Sequence, residues 1–164
     1  MTPEQKFRTT VRSHLDALSE QLVPVLKRLI AHRYPKEVFA LCFEIFPDSF
    51  TSQFPIRAFF MDRENCEHFE YVDGIAEYPS PVDPELLAID AVYPEDLEVA
   101  FEEDGGLDLW RLASEEAAVW LYDCWKKAGG SSFALEATVA DHNSSVELNL
   151  KSGKWQAKYA LFTS

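Results

Sequence analysis

Residues 38–61 read VFALCFEIFPDSFTSQFPIRAFFM, two runs rich in apolar, β-branched and aromatic side chains, parted by a break that opens at Pro47-Asp48-Ser49. Runs of this length and composition predict two neighbouring strands over 38–46 and 54–61, the first central and covered on both faces. Asp62-Arg63-Glu64-Asn65 then reads as a polar turn, and 67–72 as a third strand ending at Asp73-Gly74. Three successive strands predict an antiparallel meander.

On the N-terminal side, Phe7, Val11, Leu15, Leu18, Leu22, Leu26 and Leu29 recur every three or four residues, the spacing that lines one face of a helix. Pro24 falls inside this run and removes a backbone donor, so the run is expected to be kinked there or divided into a long first helix and a short second one. Lys27, Arg28 and Arg33 suit the negative end of the helix dipole.

On the C-terminal side, Leu109, Leu112, Ala113, Ala117, Trp120, Leu121, Cys124 and Ala128 repeat the helical spacing. Ser114-Glu115-Glu116 offers one start for this second main helix, and Gly129-Gly130 its end. Tyr122 and Trp125 fall outside the stripe and are expected to be exposed. Residues 133–140 and 146–151 alternate polar with apolar, Ser152-Gly153 supplies a turn, and Trp155, Ala157 and Tyr159 alternate again, predicting a hairpin or meander. Between the two halves, Pro79, Pro81, Pro84 and Pro94 predict a loop over 75–106 with one short helix over 94–101, pinned to the core through Leu97 and Phe101. The order helix, strands, acidic loop, helix, strands predicts one α+β domain spanning 1–164, an antiparallel sheet packed against two long helices.

The 164 residues are 47% hydrophobic, which supplies a core without help from disulfide or metal. The formal charge of −13 is unevenly spread. From Asp62 to Asp123 nineteen acidic residues face two basic ones, Arg63 and Arg111, whereas the first 36 residues hold seven basic and three acidic groups. Ionised carboxylates stay at the surface unless paired, so the acidic stretch is expected to project a negative field. That field disfavours nucleic acid and anionic membranes and favours a basic protein partner. Cys42, Cys66 and Cys124 are odd in number and far apart, which suits a reducing, cytoplasmic setting. No apolar run has the length of a membrane span, and the start of the chain is unlike a signal peptide.

Motifs for chemistry are weak. His14, His32, His68 and His142 show no metal-ligand spacing; Cys66-Glu67-His68 supplies at most half of a zinc site, and neither metal nor cofactor is expected. Asp141-His142-Asn143-Ser144-Ser145 holds every residue type of a hydrolase triad, but adjacent residues do not form a relay, and Asx-type turn chemistry accounts for the run. Gly129-Gly130-Ser131-Ser132 lacks the lysine of a phosphate loop. Carboxylates are too abundant for any pair to signal acid/base catalysis.

The acidic segment is therefore the leading candidate site, against the simpler reading of a solubilising surface. Its charges are interleaved with Tyr71, Tyr78, Leu86, Leu87, Tyr93 and Phe101, as in an interface that steers by charge and holds by apolar anchors. The expected partner-binding residues are Asp73, Glu77, Tyr78, Asp83, Glu85, Asp90, Tyr93, Glu95, Asp96, Glu98, Glu102, Glu103 and Asp104. Competing classes are an enzyme with a cleft near Cys66 and His68 or near His142, and a structural domain within an assembly.

Length, acidity and the runs Ala118-Val119-Trp120-Leu121-Tyr122-Asp123-Cys124-Trp125-Lys126-Lys127-Ala128-Gly129-Gly130, Asp141-His142-Asn143-Ser144-Ser145 and Leu150-Lys151-Ser152-Gly153-Lys154-Trp155 carry a resemblance over 107–155. In these the chain resembles small acidic bacterial immunity-type proteins encoded beside toxins. The resemblance implies a cytoplasmic, non-enzymatic inhibitor that occludes a basic cognate toxin, and it assigns no individual residue a role.

Overall fold

The computed structural model describes residues 1–103 and 105–163. Helix α1 (Pro3–Asp16) opens on a capping box: the Thr2 hydroxyl accepts from the Gln5 N–H at 3.1 Å, and the Gln5 amide oxygen accepts from the Thr2 N–H at 2.8 Å. Helix α2 (Ser19–Ala31) continues the apolar stripe, and Phe7, Val11, Leu15, Leu22, Leu26 and Leu29 are all fully buried. The division between the helices falls at Ala17-Leu18, six residues before the expected break at Pro24. Pro24 sits on the exposed face of α2 with Glu20 one turn earlier, so the carbonyl that proline leaves unbonded lies on the solvent side and the helix continues through it. The junction is instead fixed from outside, because the Ser19 hydroxyl accepts from the Trp120 indole N–H at 2.9 Å.

Strands β1 (Ala40–Ile45) and β2 (Ile56–Met61) pair antiparallel in the register Ala40 to Met61 and Ile45 to Ile56. The ribbon strands β3 (Glu70–Val72) and β4 (Ile75–Glu77) follow, then α3 (Glu95–Glu102) and α4 (Leu109–Lys127). The chain ends in β5 (Glu136–Asp141), β6 (Val146–Asn149) and β7 (Trp155–Ala157), which form the expected meander. The five-stranded order is β2-β1-β5-β6-β7. The α+β class holds, but the sheet is mixed rather than antiparallel: β1 and β5 run parallel, Ala40 beside Glu136 and Ile45 beside Asp141. Parallel neighbours need a crossover, and here it takes ninety residues and includes α4, so no local βαβ pattern announces it.

The third strand also departs from expectation. Only Met61 and Glu67 bridge it to β2; beyond His68 the chain peels off, and β3 pairs with β4 in a separate ribbon. The Ala58 N–H of β2 is occupied by the Pro84 carbonyl at 2.8 Å, so a proline-rich strap covers the edge that a third strand would have used.

Leu41, Phe43, Ile45, Ile56, Ala58, Phe60, Ala137 and Val139 form the buried face of the sheet. The other face of β1, Cys42 and Glu44, is only half-covered, by residues 158–162. Helix α4 lies against β1 and β5, and α1 and α2 pack along α4 rather than both long helices lying on the sheet. It begins at Asp108, whose carboxylate accepts from the Arg111 N–H at 3.2 Å, not near Ser114. Trp125, expected at the surface, is fully buried, and Tyr122 is half-buried. No helix among the described residues is long and apolar enough to cross a membrane.

Candidate interaction surface

The acidic stretch divides into two electrostatically different parts. In the later part, Arg8 of α1 binds Glu115 at 2.6 Å and Glu116 at 3.3 Å, and Arg12 binds Asp123 at 2.7 Å. Arg111 adds a second bond to Glu115 at 2.8 Å. The basic N-terminus thus neutralises the acids of α4 within the fold, and the two long helices are clipped together by charge.

The earlier part is different. Asp73, Glu77, Asp83, Asp90, Glu95, Asp96, Glu98, Glu102 and Glu103 make no ion pair among the described residues, and Glu85 has only a 3.4 Å contact with Arg57. Asp73 and Glu77 lie on the β3–β4 ribbon. Asp83, Glu85 and Asp90 lie on the strap that crosses the β2 edge, where the Asp83 carboxylate accepts from the Glu85 N–H at 2.9 Å. Glu95, Asp96, Glu102 and Glu103 are exposed on or just after α3. Asp104 lies outside the described residues. The surplus negative charge is therefore carried mainly by 73–103.

Two expected contact residues serve the interior instead. Tyr93 is 1% exposed, stacked on Phe50 at 5.5 Å, and its hydroxyl donates to Glu98 at 2.9 Å. Burial, with the Glu98 carboxylate beside it, pushes the Tyr93 phenol well above its ordinary range. A ring enclosed in this way cannot touch a partner, and Glu98, its half-buried acceptor, positions it. Leu86 and Leu87 are buried as well, and Phe101 packs on Phe7 at 5.2 Å. Tyr78 is exposed, and its hydroxyl accepts from Arg57 at 2.7 Å.

In this region the apolar groups that face solvent are Tyr71 at 72%, Val72 at 50% and Ile75 at 67%, all on the ribbon, with Val99 on α3 and Trp110 nearby in sequence; Val119, Val146, Trp155 and Tyr159 are exposed elsewhere. Asp73 and Gly74 both adopt positive φ, 52° and 79°, which makes the tight turn that presents them. Periodicity alone does not show that this hairpin stands apart from the sheet. Tyr71 could be singled out in the sequence, whereas Val72 and Ile75 could not.

His142 pairs with Glu44 of β1 rather than with its sequence neighbours Asp141, Ser144 or Ser145. Its Nδ1 lies 2.6 Å from a Glu44 oxygen, and Lys158, whose side chain is nearly buried, reaches Glu44 at 3.2 Å while donating to the Asp141 and His142 carbonyls. Glu147 accepts from the Gln156 amide at 2.6 Å and from the Tyr159 N–H at 3.3 Å. Several of these groups line a cavity of about 220 Å³ on the open sheet face, and their bonds clip residues 158–159 to the sheet. The Asp141 carboxylate caps Asn143 and the Ser144 hydroxyl caps Val146, as a turn requires. A larger cleft of about 510 Å³ lies between α1, α4 and the β5–β6 turn, with Val119, Val146 and Trp155 on its walls. Cys66 is exposed and bonded to the Glu64 carbonyl; His68, two residues on, faces Glu37 and Glu70 instead. No protein-family model, curated protein or solved structure matches this chain.

Proposed function

We propose that the chain is a protein-binding module that captures a basic protein through residues 71–103, acting as an immunity-type inhibitor that occludes its partner's active site. The observation that carries this reading is the ribbon: Tyr71, Val72 and Ile75 stand in solvent on a two-stranded hairpin beside Asp73 and Glu77, which make no ion pair among the described residues. Two strands alone are marginal in water, and apolar side chains there gain little from folding. In an interface the same side chains become buried anchors, and the free carboxylates raise the rate of encounter with a cationic surface. Near His142, Glu44 is taken up by His142 Nδ1 and by Lys158, and Lys158 also by two carbonyls, so the observations there favour a structural clip over a small-substrate site.

Affinity capture from native lysate, with mass spectrometry of what is retained, tests the proposal. Wild-type protein should retain a basic protein in stoichiometric amount, and the Glu95→Lys/Glu102→Lys/Glu103→Lys variant should associate with it about tenfold more slowly, as should wild type at raised salt. An association rate unmoved by charge reversal and by salt, or a partner that is itself acidic, refutes the reading.

A further inference from the structure

We infer that Glu37, His68 and Glu70 form a binding site for a single divalent transition-metal ion of the zinc type. The His68 Nε2 lies 3.9 Å from a Glu37 oxygen and 3.7 Å from a Glu70 oxygen, and the three ligand atoms lie within 4.8 Å of one another. Neither contact is short enough to be a hydrogen bond, and Nε2 is buried with no partner. The His68 side chain is 19% exposed, so the ring is largely enclosed while its coordinating nitrogen goes unsatisfied.

An imidazole nitrogen and two carboxylate oxygens are ordinary zinc ligands, bound at about 2.0–2.2 Å. Two ligands of a tetrahedral ion at that range sit about 3.4 Å apart, so the two separations from His68 need to close by only a few tenths of an ångström, while the two carboxylates, within 4.8 Å of each other, must draw together by up to about 1.4 Å. Glu37 and Glu70 are the partly exposed, flexible members and can make that adjustment. The ligands come from separate segments: Glu37 from the turn before β1, His68 from the stretch leaving β2, and Glu70 from the first residue of β3. The ion would therefore staple the base of the ribbon to the body of the domain. Cys66, the residue sequence spacing pairs with His68, takes no part.

Chelator-treated full-length protein should be titrated with Zn²⁺ by calorimetry and followed by ¹⁵N NMR of the histidine rings. The expected result is one ion per chain, a large shift at His68 Nε2 with His14, His32 and His142 unmoved, and slower amide exchange over 70–77. His68→Ala should abolish binding. Glu37→Gln/Glu70→Gln, at sites where folding is not at risk, should weaken it at least tenfold, and Cys66→Ser should leave it intact. Absence of saturable one-ion binding, binding unaffected by the double glutamine variant, or loss of binding in Cys66→Ser overturns the inference. None of these readouts involves the protein partner, so they stand or fall apart from the inhibitor reading.

Discussion

Replacing Gly130 by alanine should destabilise the protein through one contact. The chain reverses at Gly129, which has φ +92°, and Gly130 then lies flat against the Trp125 indole. A Cβ on Gly130 would overlap Nε1, Cδ1 and Cε2 of that ring. The indole has no room to yield, because it is fully buried between Phe43, with centroids 5.8 Å apart, and Phe133 at 5.2 Å. Overpacking of this kind costs about 1–3 kcal/mol, and the entropy that alanine removes from the unfolded chain returns about 0.4–1 kcal/mol. The net loss is about 1–2 kcal/mol, or roughly 2–8 °C in Tm for a domain of this size. Urea unfolding should show a lower midpoint at unchanged m-value. Gly129→Ala meets no neighbour and is strained only by its φ. A double-mutant cycle separates the two: Trp125→Phe should couple to Gly130→Ala by at least about 0.5 kcal/mol and not to Gly129→Ala. An unchanged midpoint for Gly130→Ala, or no coupling to Trp125, refutes the reasoning.

Acid should loosen the α1–α4 clip. Burial opposes ionisation of Glu115, but the hydrogen bonds from Arg8 and Arg111 outweigh it and hold the carboxyl below the ordinary glutamate value of 4.5. A carboxyl held low in the fold contributes stability in full above its unfolded value and loses it as pH falls through the folded one. Stability should therefore decline from about pH 4.5 downward, and Arg8→Met should flatten that slope in urea titrations at successive pH values; an identical pH profile for the variant counts against the clip. Thiol chemistry tests burial separately. Burial pushes the Cys42 thiol up to about 12, despite a hydrogen bond with Thr138, and raises that of Cys124, whereas Cys66 is exposed. A colorimetric disulfide reagent at mildly alkaline pH should modify one cysteine in the native protein and all three in denaturant; rapid modification of two or more native thiols contradicts the fold.

Elements set by local periodicity were legible in the sequence. The stripe from Phe7 to Leu29, the α4 stripe, the paired runs on either side of Pro47 and the short helix after Pro94 all stand where spacing puts them. What the sequence concealed depends on distant competition. β3 loses its place in the sheet because Pro84, twelve or more residues later, takes the β2 edge first. Trp125 lies off the main stripe, yet α4 is covered by the sheet on one side and by α1 and α2 on another, so a single-stripe rule undercounts its buried surface. Tyr93 read as an anchor for a partner because an aromatic among acids looks alike whether it points outward or into the core.

The same long-range pairing changes what the charge count means. Nineteen acidic residues between Asp62 and Asp123 suggest one broad negative surface, but Glu115, Glu116 and Asp123 are paired with Arg8 and Arg12, more than a hundred residues earlier, with Arg111 and Lys126 of α4 adding to two of them. Charge spent on the α1–α4 seam no longer attracts anything. Removing it leaves a smaller group of carboxylates, most of them on the ribbon, the strap and α3 with Asp62 and Glu64 in the turn before them, and the ribbon and α3 also expose Tyr71, Ile75 and Val99. Long-range attraction weakens as charges spread around a globule, since opposite faces cannot both meet a partner within a Debye length of about 8 Å. Unpaired charge that shares its segments with Tyr71, Val72, Ile75 and Val99 combines the two features a docking surface uses, although Glu20, Asp48 and Glu64 are unpaired among the described residues and Val119, Val146 and Trp155 are exposed elsewhere.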